Sequence, residues 1–229
     1  MSIIEKRNDG GNLKGDYFKH TKTGKEFRRI VGGFAWAEKK PGFVVAVGEE
    51  LEPDPTTKRR HLWVVGETED FNIQNLFRRG VEFREIYKVE VFCGNTRKQA
   101  MMSHLHQFNR SSGNPTLSGL PLREAPYLDD EDSFFSYLQD IVELIDPVSK
   151  YLHFIETSKL PELLLKATNP KETPSPDAQS FPGIVALGSA VSYLKIYQPQ
   201  FLPPIKPPQQ NLAKSYAVNL DFRKRRPIY

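Results

Sequence analysis

This chain of 229 residues has only one cysteine and no long apolar run. With a single cysteine, Cys93, it can form neither an internal disulfide nor a cysteine-cluster metal site. No apolar run approaches the roughly 18–20 residues that cross a bilayer. The polar segment 1–15 has no apolar core of a signal peptide. We therefore expect a cytoplasmic protein with no membrane partner.

Three common signatures of enzymes are also missing. The sequence has no Gly-x-x-x-x-Gly-Lys-Ser/Thr phosphate loop, no Gly-x-Ser-x-Gly elbow and no His-Glu-x-x-His helix. An ATPase motor, an α/β-hydrolase and a common zinc protease are thereby disfavoured. His104 and His106 are two residues apart, which points them to different faces of a helix and away from a shared metal. Cys93 has no base beside it, so the sequence favours a buried, inert thiol.

Three short runs of β-branched and aromatic residues are the strongest positive signal. A Lys-Lys-Pro-Gly turn separates the first two, and a loop of Pro, Asp and Thr separates the second from the third. We predict an antiparallel meander of strands over 27–37, 43–51 and 60–67. A helix over 72–88 and a strand over 88–93 follow. Since a parallel connection needs such a helix, the fourth strand should run parallel to the first.

The rest of the chain predicts an α/β domain over 26–198 between two polar ends. Apolar spacing and caps indicate helices over 97–108, 129–145, 162–167 and 184–197, and short strands over 120–125 and 152–155. Small residues in the last helix would let it pack closely on a sheet. The segment 1–25 is expected to be a flexible arm that packs little. The segment 199–229, rich in proline and ending in basic residues, indicates an extended tail.

This order of elements resembles the ribonuclease H-like nuclease domain of phage terminase large subunits, which cut concatemeric DNA during head packaging. Two stretches carry the resemblance beyond the element order. Residues 91–96 read Val-Phe-Cys-Gly-Asn-Thr, and residues 181–188 read Phe-Pro-Gly-Ile-Val-Ala-Leu-Gly. The resemblance covers about residues 27–197. It implies a ribonuclease H-like mixed sheet flanked by helices, with double-stranded DNA and other phage packaging proteins as partners.

The same resemblance implies a metal site that this sequence does not complete. Such nucleases hold two Mg²⁺ or Mn²⁺ ions with three or four carboxylates. The family positions at the ends of the first strand, the fourth strand and before the last helix fall on Ala35, on Gly94 or Asn95, and on Ser180. Asp177 and Glu38 are then the candidates for catalysis, and Asp177 is the candidate metal ligand. Asp177, Glu38 and Glu67 could each substitute for a missing carboxylate only in a shifted register. A Mg²⁺ or Mn²⁺ cofactor is expected only if the protein is an active enzyme.

Three functions remain open on this basis. The favoured one is a terminase nuclease-like domain with a degraded metal site that acts in DNA packaging or DNA binding without cutting. The alternatives are an active Mg²⁺- or Mn²⁺-dependent DNA endonuclease with displaced carboxylates, and a non-catalytic protein-interaction domain. The net charge of +4 permits nucleic acid without requiring it. The basic side chains that could contact phosphates are Arg59, Arg60, Arg78, Arg79, Arg97 and Lys98.

Overall fold

A computed structural model describes residues 3–8, 16–94, 99–111, 120, 122–125, 131–145, 150–169 and 178–196. The strands within these ranges are β1 (Ile4–Asn8), β2 (Asp16–His20), β3 (Glu26–Ala35), β4 (Gly42–Glu50), β5 (Leu62–Asp70), β6 (Val91–Gly94), β7 (Leu122–Glu124) and β8 (Leu152–His153). The helices are α1 (Ile73–Ile86), α2 (Gln99–Ser111), α3 (Glu131–Ile145), α4 (Leu160–Thr168) and α5 (Pro182–Ile196). The predicted tail lies outside the described residues.

These strands form one mixed sheet. Its main path runs β1-β2-β3-β4-β5-β8, and β6 pairs with β3 on one side and with β7 on the other. The β3–β4 and β4–β5 pairs are antiparallel, with Val31 opposite Val47 and Val47 opposite Val64. In contrast, β6 runs parallel to β3, β7 parallel to β6, and β8 parallel to β5. The predicted meander with a parallel fourth strand is confirmed, with small shifts at the strand ends.

The prediction of a little-packed arm over 1–25 is wrong for the residues described there. β1 and β2 form an antiparallel pair with Ile4 opposite His20, and Phe18 of β2 lies opposite Phe27 of β3. Ile4 is 0% exposed and Phe18 is 7% exposed. Few apolar side chains suffice here because β1 is exposed beyond Ile4, and the hydrogen bonds between the paired strands satisfy the backbone. A composition that is mostly polar therefore concealed two strands.

Two apolar cores lie on opposite faces of the sheet, since successive side chains of a strand point to opposite sides. Helices α1 and α2 cover one face, where the rings of Phe34 and Phe77 stack with centroids 5.3 Å apart. Helices α3, α4 and α5 cover the other face. On this second face, a Cβ at Gly33 would lie 1.7 Å from the carbonyl oxygen of Ala186. The prediction that the last helix packs closely on the sheet is confirmed.

Helix α1 begins at a residue whose side chain stabilises its first turn. The Asn72 side-chain oxygen accepts a 2.8 Å hydrogen bond from the backbone N–H of Gln74, which satisfies a donor that has no partner within the helix. Ile73, Leu76, Phe77, Gly80 and Phe83 are the buried positions of this helix. The opposite face of α1 is left to solvent.

The sheet has two distinct ends, which we call the Ala35 end and the Arg28 end after residues near the two termini of β3. Helix α5 runs antiparallel to β3: Ala186 packs on Gly33, whereas the carbonyl oxygen of Leu194 accepts a 3.0 Å hydrogen bond from Nη2 of Arg29. The start of α5 therefore lies at the Ala35 end. Ala35 is seven residue steps along β3 from Arg28, a distance of about 23 Å. In the described ranges, no helix is long and apolar enough to cross a membrane.

Candidate functional site

The described positions that the resemblance assigns to carboxylates lie at the Ala35 end. Ala35 ends β3 and Gly94 ends β6, and Gly94 is the register partner of Phe34. Ser180 is exposed and lies two residues before α5 begins. Asn95 lies outside the described residues. The strand ends are neighbours, as the resemblance implies, but these described positions carry no charge.

The backbone at these two strand ends is shaped for small side chains. A Cβ at Gly94 would lie 2.6 Å from the carbonyl oxygen of Phe34, closer than real Cβ atoms come. Ala35 is 7% exposed and belongs to the apolar cluster that contains Phe43 and Phe181. A carboxylate at Gly94 would collide with the backbone, and one at Ala35 would enter apolar surroundings at a high desolvation cost. A single substitution at either position therefore does not restore a metal ligand.

The acids proposed as substitutes are not gathered into a site among the described residues. Glu38 is exposed in the bend after β3. Both oxygens of Glu67 are engaged at the start of α4: one accepts a 2.6 Å bond from the backbone N–H of Lys159, the other a 2.5 Å bond from the hydroxyl of Ser158. Asp177 lies outside the described residues. Within the described part of the chain, no group of three or more His, Cys, Asp or Glu side chains is placed to hold a metal ion.

A cavity of about 440 Å³ opens at the Ala35 end. Its apolar wall is made by Pro41, Phe43, Leu163, Phe181 and Pro182. The charged side chains that line it are Lys40, Lys166 and Glu69. Lys166 forms a 2.6 Å ion pair with Glu162, and Glu69 forms a 2.5 Å ion pair with Lys159. Because the one lining carboxylate is already neutralised by a lysine, this cavity does not offer the negative charge that a divalent cation needs.

The predicted phosphate-contacting residues fall into separate groups. Arg59 is exposed and Arg60 half-buried, and both lie in the loop before β5 at the Arg28 end. Arg78 and Arg79 are exposed on α1, where Arg79 forms a 2.7 Å ion pair with Glu82. Arg97 and Lys98 lie outside the described residues. The two described arginine pairs therefore lie on different elements, the loop before β5 and helix α1, and are not adjacent in the chain.

A buried ion pair lies at the Arg28 end. The carboxylate of Glu49 is 2% exposed and lies 2.7 Å from Nε of Arg29 and 3.9 Å from Nε of Arg28. Burial lowers the pKa of the Arg28 guanidinium, and the nearby charge of Glu49 opposes that shift. Arg29 also holds the end of α5 through the carbonyl oxygen of Leu194. The pair thus joins β3, β4 and α5.

A second set of polar contacts at the Arg28 end fixes the loop between β4 and β5. Lys25 forms a 2.6 Å ion pair with Glu50. The Nη1 group of Arg60 donates to the carbonyl oxygen of Glu50 at 3.0 Å and also to that of Leu51. Arg60 therefore has a structural task in addition to any contact with a ligand.

Four rings form a continuous line at the Arg28 end. Trp63 and His153 belong to the paired strands β5 and β8, and His61 and Tyr151 are the residues directly before these strands. The ring column, as we call it, runs Trp63, His153, His61, Tyr151. Successive ring centroids lie 4.1, 5.0 and 5.1 Å apart. Nδ1 of His61 and Nε2 of His153 are 2.8 Å apart, so one of them donates a hydrogen bond to the other. Trp63, His61 and His153 are half-buried, and Tyr151 is buried.

A cation lies over each end of the ring column. Nζ of Lys25 is 4.5 Å from the ring centroid of Trp63, and the guanidinium carbon of Arg59 is 5.7 Å from the ring centroid of Tyr151. Both distances are within the range of cation–π attraction. The hydroxyl of Tyr151 donates a 2.5 Å hydrogen bond to that of Thr57, which connects the column to the loop that carries Arg59.

The stability of the folded protein is expected to fall in mild acid because of the ring column. Burial lowers the pKa of the His153 imidazole, and the charges of His61 and Lys25 lower it further. The unfolded chain, with an ordinary histidine pKa of about 6.5, then binds protons more readily than the folded protein. The free energy of unfolding should decrease as the pH falls from about 6.5 through the folded-state pKa. Urea unfolding at pH 8, 6.5 and 5.5 measures this loss.

The matched variant for that measurement is His153→Gln, which keeps a polar side chain and cannot be protonated. It should lose less unfolding free energy than the parent between pH 8 and pH 5.5. Burial also lowers the pKa of His20, so some pH dependence will remain in the variant. Equal losses in the two proteins would show that His153 does not contribute.

Cys93 is buried, as the sequence predicted, and burial raises the pKa of its thiol to about 12. A thiol with so high a pKa is almost entirely protonated at neutral pH and is a poor nucleophile.

The sequence reasoning missed the ring column. Its signal is a pair of aromatic residues two apart at 61 and 63 and another at 151 and 153. It becomes visible only when β5 and β8 are known to pair.

Comparisons with protein-family models, with curated proteins and with solved structures found no match to this chain.

Proposed function

We propose that this chain is a ribonuclease H-like domain related to the nuclease domains of phage terminases, and that it binds DNA without cutting it. Support for the fold comes from the antiparallel β3–β4–β5 meander, the parallel strands β6 and β7 beside β3, and a last helix packed across the sheet. These are the features that the resemblance implies. The role in phage DNA packaging, with packaging proteins as partners, rests on the same resemblance.

The observation that carries the non-cleaving part of the proposal is the chemistry of the neighbouring strand ends. Two divalent cations bring four positive charges into a small cleft, and at least three carboxylates normally offset them. Here Ala35 is buried among apolar side chains, and Gly94 leaves no room for a Cβ beside Phe34. In the nearby cavity Lys40 adds further positive charge, whereas Lys166 is paired with Glu162. Asp177 alone would supply one negative charge and could not fix the geometry of two ions.

Binding to DNA does not depend on such a metal site. Lysine and arginine side chains that neutralise phosphates release condensed counterions, which makes association favourable at low salt. Arg59 and Arg78 are exposed and could contact phosphates, and Arg79, also exposed, would have to exchange its ion pair with Glu82 for one with a phosphate. A protein that contacts phosphates without metals would bind DNA and leave it intact.

We expect no Mg²⁺- or Mn²⁺-dependent nicking when purified protein is incubated with supercoiled plasmid. Agarose electrophoresis should show the same fraction of nicked plasmid with and without Mg²⁺ or Mn²⁺. A concentration of about 5–10 mM is enough to saturate even a weak site for these ions. In the same preparations, fluorescence anisotropy should show binding to a labelled duplex. That binding should weaken steeply as salt rises from about 50 to 200 mM.

The variants Asp177→Ala and Glu38→Ala test the alternative of an active enzyme with displaced carboxylates. Nicking by the parent that disappears in either variant would show a working metal site and overturn the non-cleaving proposal. Nicking that persists equally in both variants indicates a contaminating nuclease, which a repeat with independently purified protein removes. Association with phosphates is strongest at low salt, so the decisive measurement is made at about 50 mM. If the protein does not bind DNA there, the proposal that it binds DNA is overturned, and a protein-interaction domain remains.

A further inference from the structure

We propose that the hydrogen bond between His61 and His153 is a pH-sensitive latch, which keeps β8 paired with β5 at neutral pH and releases it in mild acid. The opening is confined to the Arg28 end and does not depend on the proposed function. It should occur while the central strands stay paired, which distinguishes it from the loss of overall stability expected in acid.

The number of protons on the two imidazoles decides whether the latch can stay closed. Nδ1 of His61 and Nε2 of His153 are 2.8 Å apart. One of these nitrogens must carry a proton, and the other must offer a lone pair. The bond therefore exists when the pair is neutral and also when the pair binds one extra proton. A second extra proton would leave two N–H groups and two positive charges facing each other, so the contact has to break.

Charged side chains face the histidine pair from three segments of the chain. They are Lys25 before β3, Glu50 at the end of β4, and Asp54, Arg59 and Arg60 in the loop before β5. Lys25 and Glu50 form a 2.6 Å ion pair, so their charges largely cancel at the histidines. Burial lowers the pKa of His153, and the positive charges of His61 and Lys25 lower it further against the opposing effect of Glu50.

The loop before β5 does not compensate for two adjacent imidazolium ions. Asp54 interacts with His61, but its carboxylate also accepts hydrogen bonds from backbone N–H groups of the loop. The guanidinium of Arg59 lies over the ring of Tyr151, which is itself next to His61. Arg60 adds a second positive charge beside His61 in the chain. The closed pair therefore resists a second extra proton, which exposed histidines would bind.

The pairing of β8 with β5 is short enough to open by itself. It consists of Leu62 opposite Leu152 and Trp63 opposite His153, and the N–H of Leu62 donates a 2.7 Å hydrogen bond to the carbonyl oxygen of Tyr151. Leu152 and Tyr151 are buried, which favours the closed form at neutral pH. By contrast, β4 pairs with β5 over most of its length. Short pairings open at a lower free energy than central strands.

The size of the effect follows from the uptake of one proton. The open form binds more protons than the closed form, so acid favours opening. With an ordinary histidine pKa of about 6.5 in the open form, its population should rise about tenfold between pH 7.5 and pH 5.5. The protection of amide protons against exchange falls by the same factor, because protection measures how often the pairing opens.

Hydrogen exchange of the full chain, followed by NMR at about pH 7.5 and 5.5, tests the latch. After correction for the intrinsic exchange rate, the protection of the Leu62 N–H should fall about tenfold in acid. At both pH values this N–H should be less protected than the amides of β3 and β4. Protection that does not fall with pH would overturn the proposal. Protection equal to that of the central strands would also overturn it, because β8 would then open only when the whole fold does.

The variants His61→Gln and His153→Gln each remove the pair and keep a polar side chain. A glutamine carbonyl oxygen can accept a hydrogen bond from a protonated imidazole, so acid no longer has to break the contact. We expect the change in Leu62 protection to shrink from about tenfold to less than about twofold. His106→Gln, which replaces an exposed histidine of α2, is the matched control and should retain the tenfold change. A tenfold change that persists in both variants of the pair would refute the latch.

A measurement on the parent protein avoids any effect of substitution on folding. In ¹⁵N NMR spectra at about pH 7.5, one of the two facing nitrogens of His61 and His153 should be protonated and the other should not. Uptake of the second extra proton should coincide with the loss of protection at Leu62. Two fully protonated rings with unchanged protection would show that the pair does not control β8.

Discussion

Replacing Gly33 with alanine is expected to destabilise the folded protein by about 3 kcal/mol or more, at or beyond the upper end for overpacking a core. A Cβ at this position would lie 1.7 Å from the carbonyl oxygen of Ala186 and 3.0 Å from Cγ1 of Val45. The oxygen belongs to the backbone of α5, so no side-chain rotation can relieve the contact. The helix must move away from the sheet and lose part of its buried apolar contact. Urea unfolding followed by circular dichroism measures the change.

Gly80→Ala is the matched control, because it adds the same methyl group at another crowded glycine. There the nearest atom is Cδ1 of Leu120, at 2.7 Å, which is the far end of a side chain that can turn aside. Alanine also favours the middle of a helix over glycine by about 1 kcal/mol. We expect Gly80→Ala to stay within about 1 kcal/mol of the parent. Similar losses of unfolding free energy in both variants would mean that the contact between α5 and β3 is no more sensitive to an added methyl group than the contact at Gly80.

The central strands and their pairing could be predicted from the sequence because each signal there is local. The β-branched runs, the Lys-Lys-Pro-Gly turn before β4 and the capped helix between β5 and β6 all constrain neighbouring stretches of chain. Helix α5 was equally predictable, since small residues at Ala186 and Gly188 permit close contact. Here a Cβ at Gly188 would lie 2.4 Å from Cβ of Tyr137.

The first two strands could not be predicted in this way. In β1 only Ile4 is buried, and the burial pattern of the strand has no alternation beyond that residue. What stabilises β1 is its ladder with β2, and a ladder leaves no trace in the side-chain pattern of a polar strand. The ring column has the same origin, because His61 and His153 are ninety-two positions apart in the chain. Their contact depends on the pairing of β5 with a strand of two residues, Leu152–His153.

For the candidate metal site, the structure supplies a physical reason for a feature that the sequence had already indicated. The sequence already indicated which positions lack a carboxylate, and the resemblance indicated where they would meet. The geometry adds why those positions hold small residues: Gly94 is close to the backbone of Phe34, and Ala35 is part of an apolar core. No pattern in the sequence expresses such close contacts, since they depend on how β6 lies beside β3 and on how the helices pack on the sheet.

Arg29→Met is the second substitution expected to have a large effect, and we expect it to cost about 3–5 kcal/mol of unfolding free energy. The carboxylate of Glu49 is 2% exposed, and its shortest ion pair is the 2.7 Å contact with Nε of Arg29. Methionine has a similar length but no charge, so Glu49 would keep its desolvation penalty and lose its main partner. Arg28, with Nε 3.9 Å from the same carboxylate oxygen, offsets only part of that loss. The carbonyl oxygen of Leu194 also loses its 3.0 Å hydrogen bond.

The double variant Arg29→Met/Glu49→Leu separates the buried charge from the lost packing. Replacing a buried ion pair by apolar residues of similar volume is often neutral or stabilising, whereas removing one partner is strongly destabilising. We therefore expect the double variant to recover at least about half of the stability that Arg29→Met loses. Glu49→Leu alone should be destabilising too, because it leaves the half-buried Arg29 without its carboxylate. Urea unfolding of the parent and the three variants closes the cycle. If the double variant is as unstable as Arg29→Met, the cost arises from the contact with α5 at Leu194 and not from the charge of Glu49.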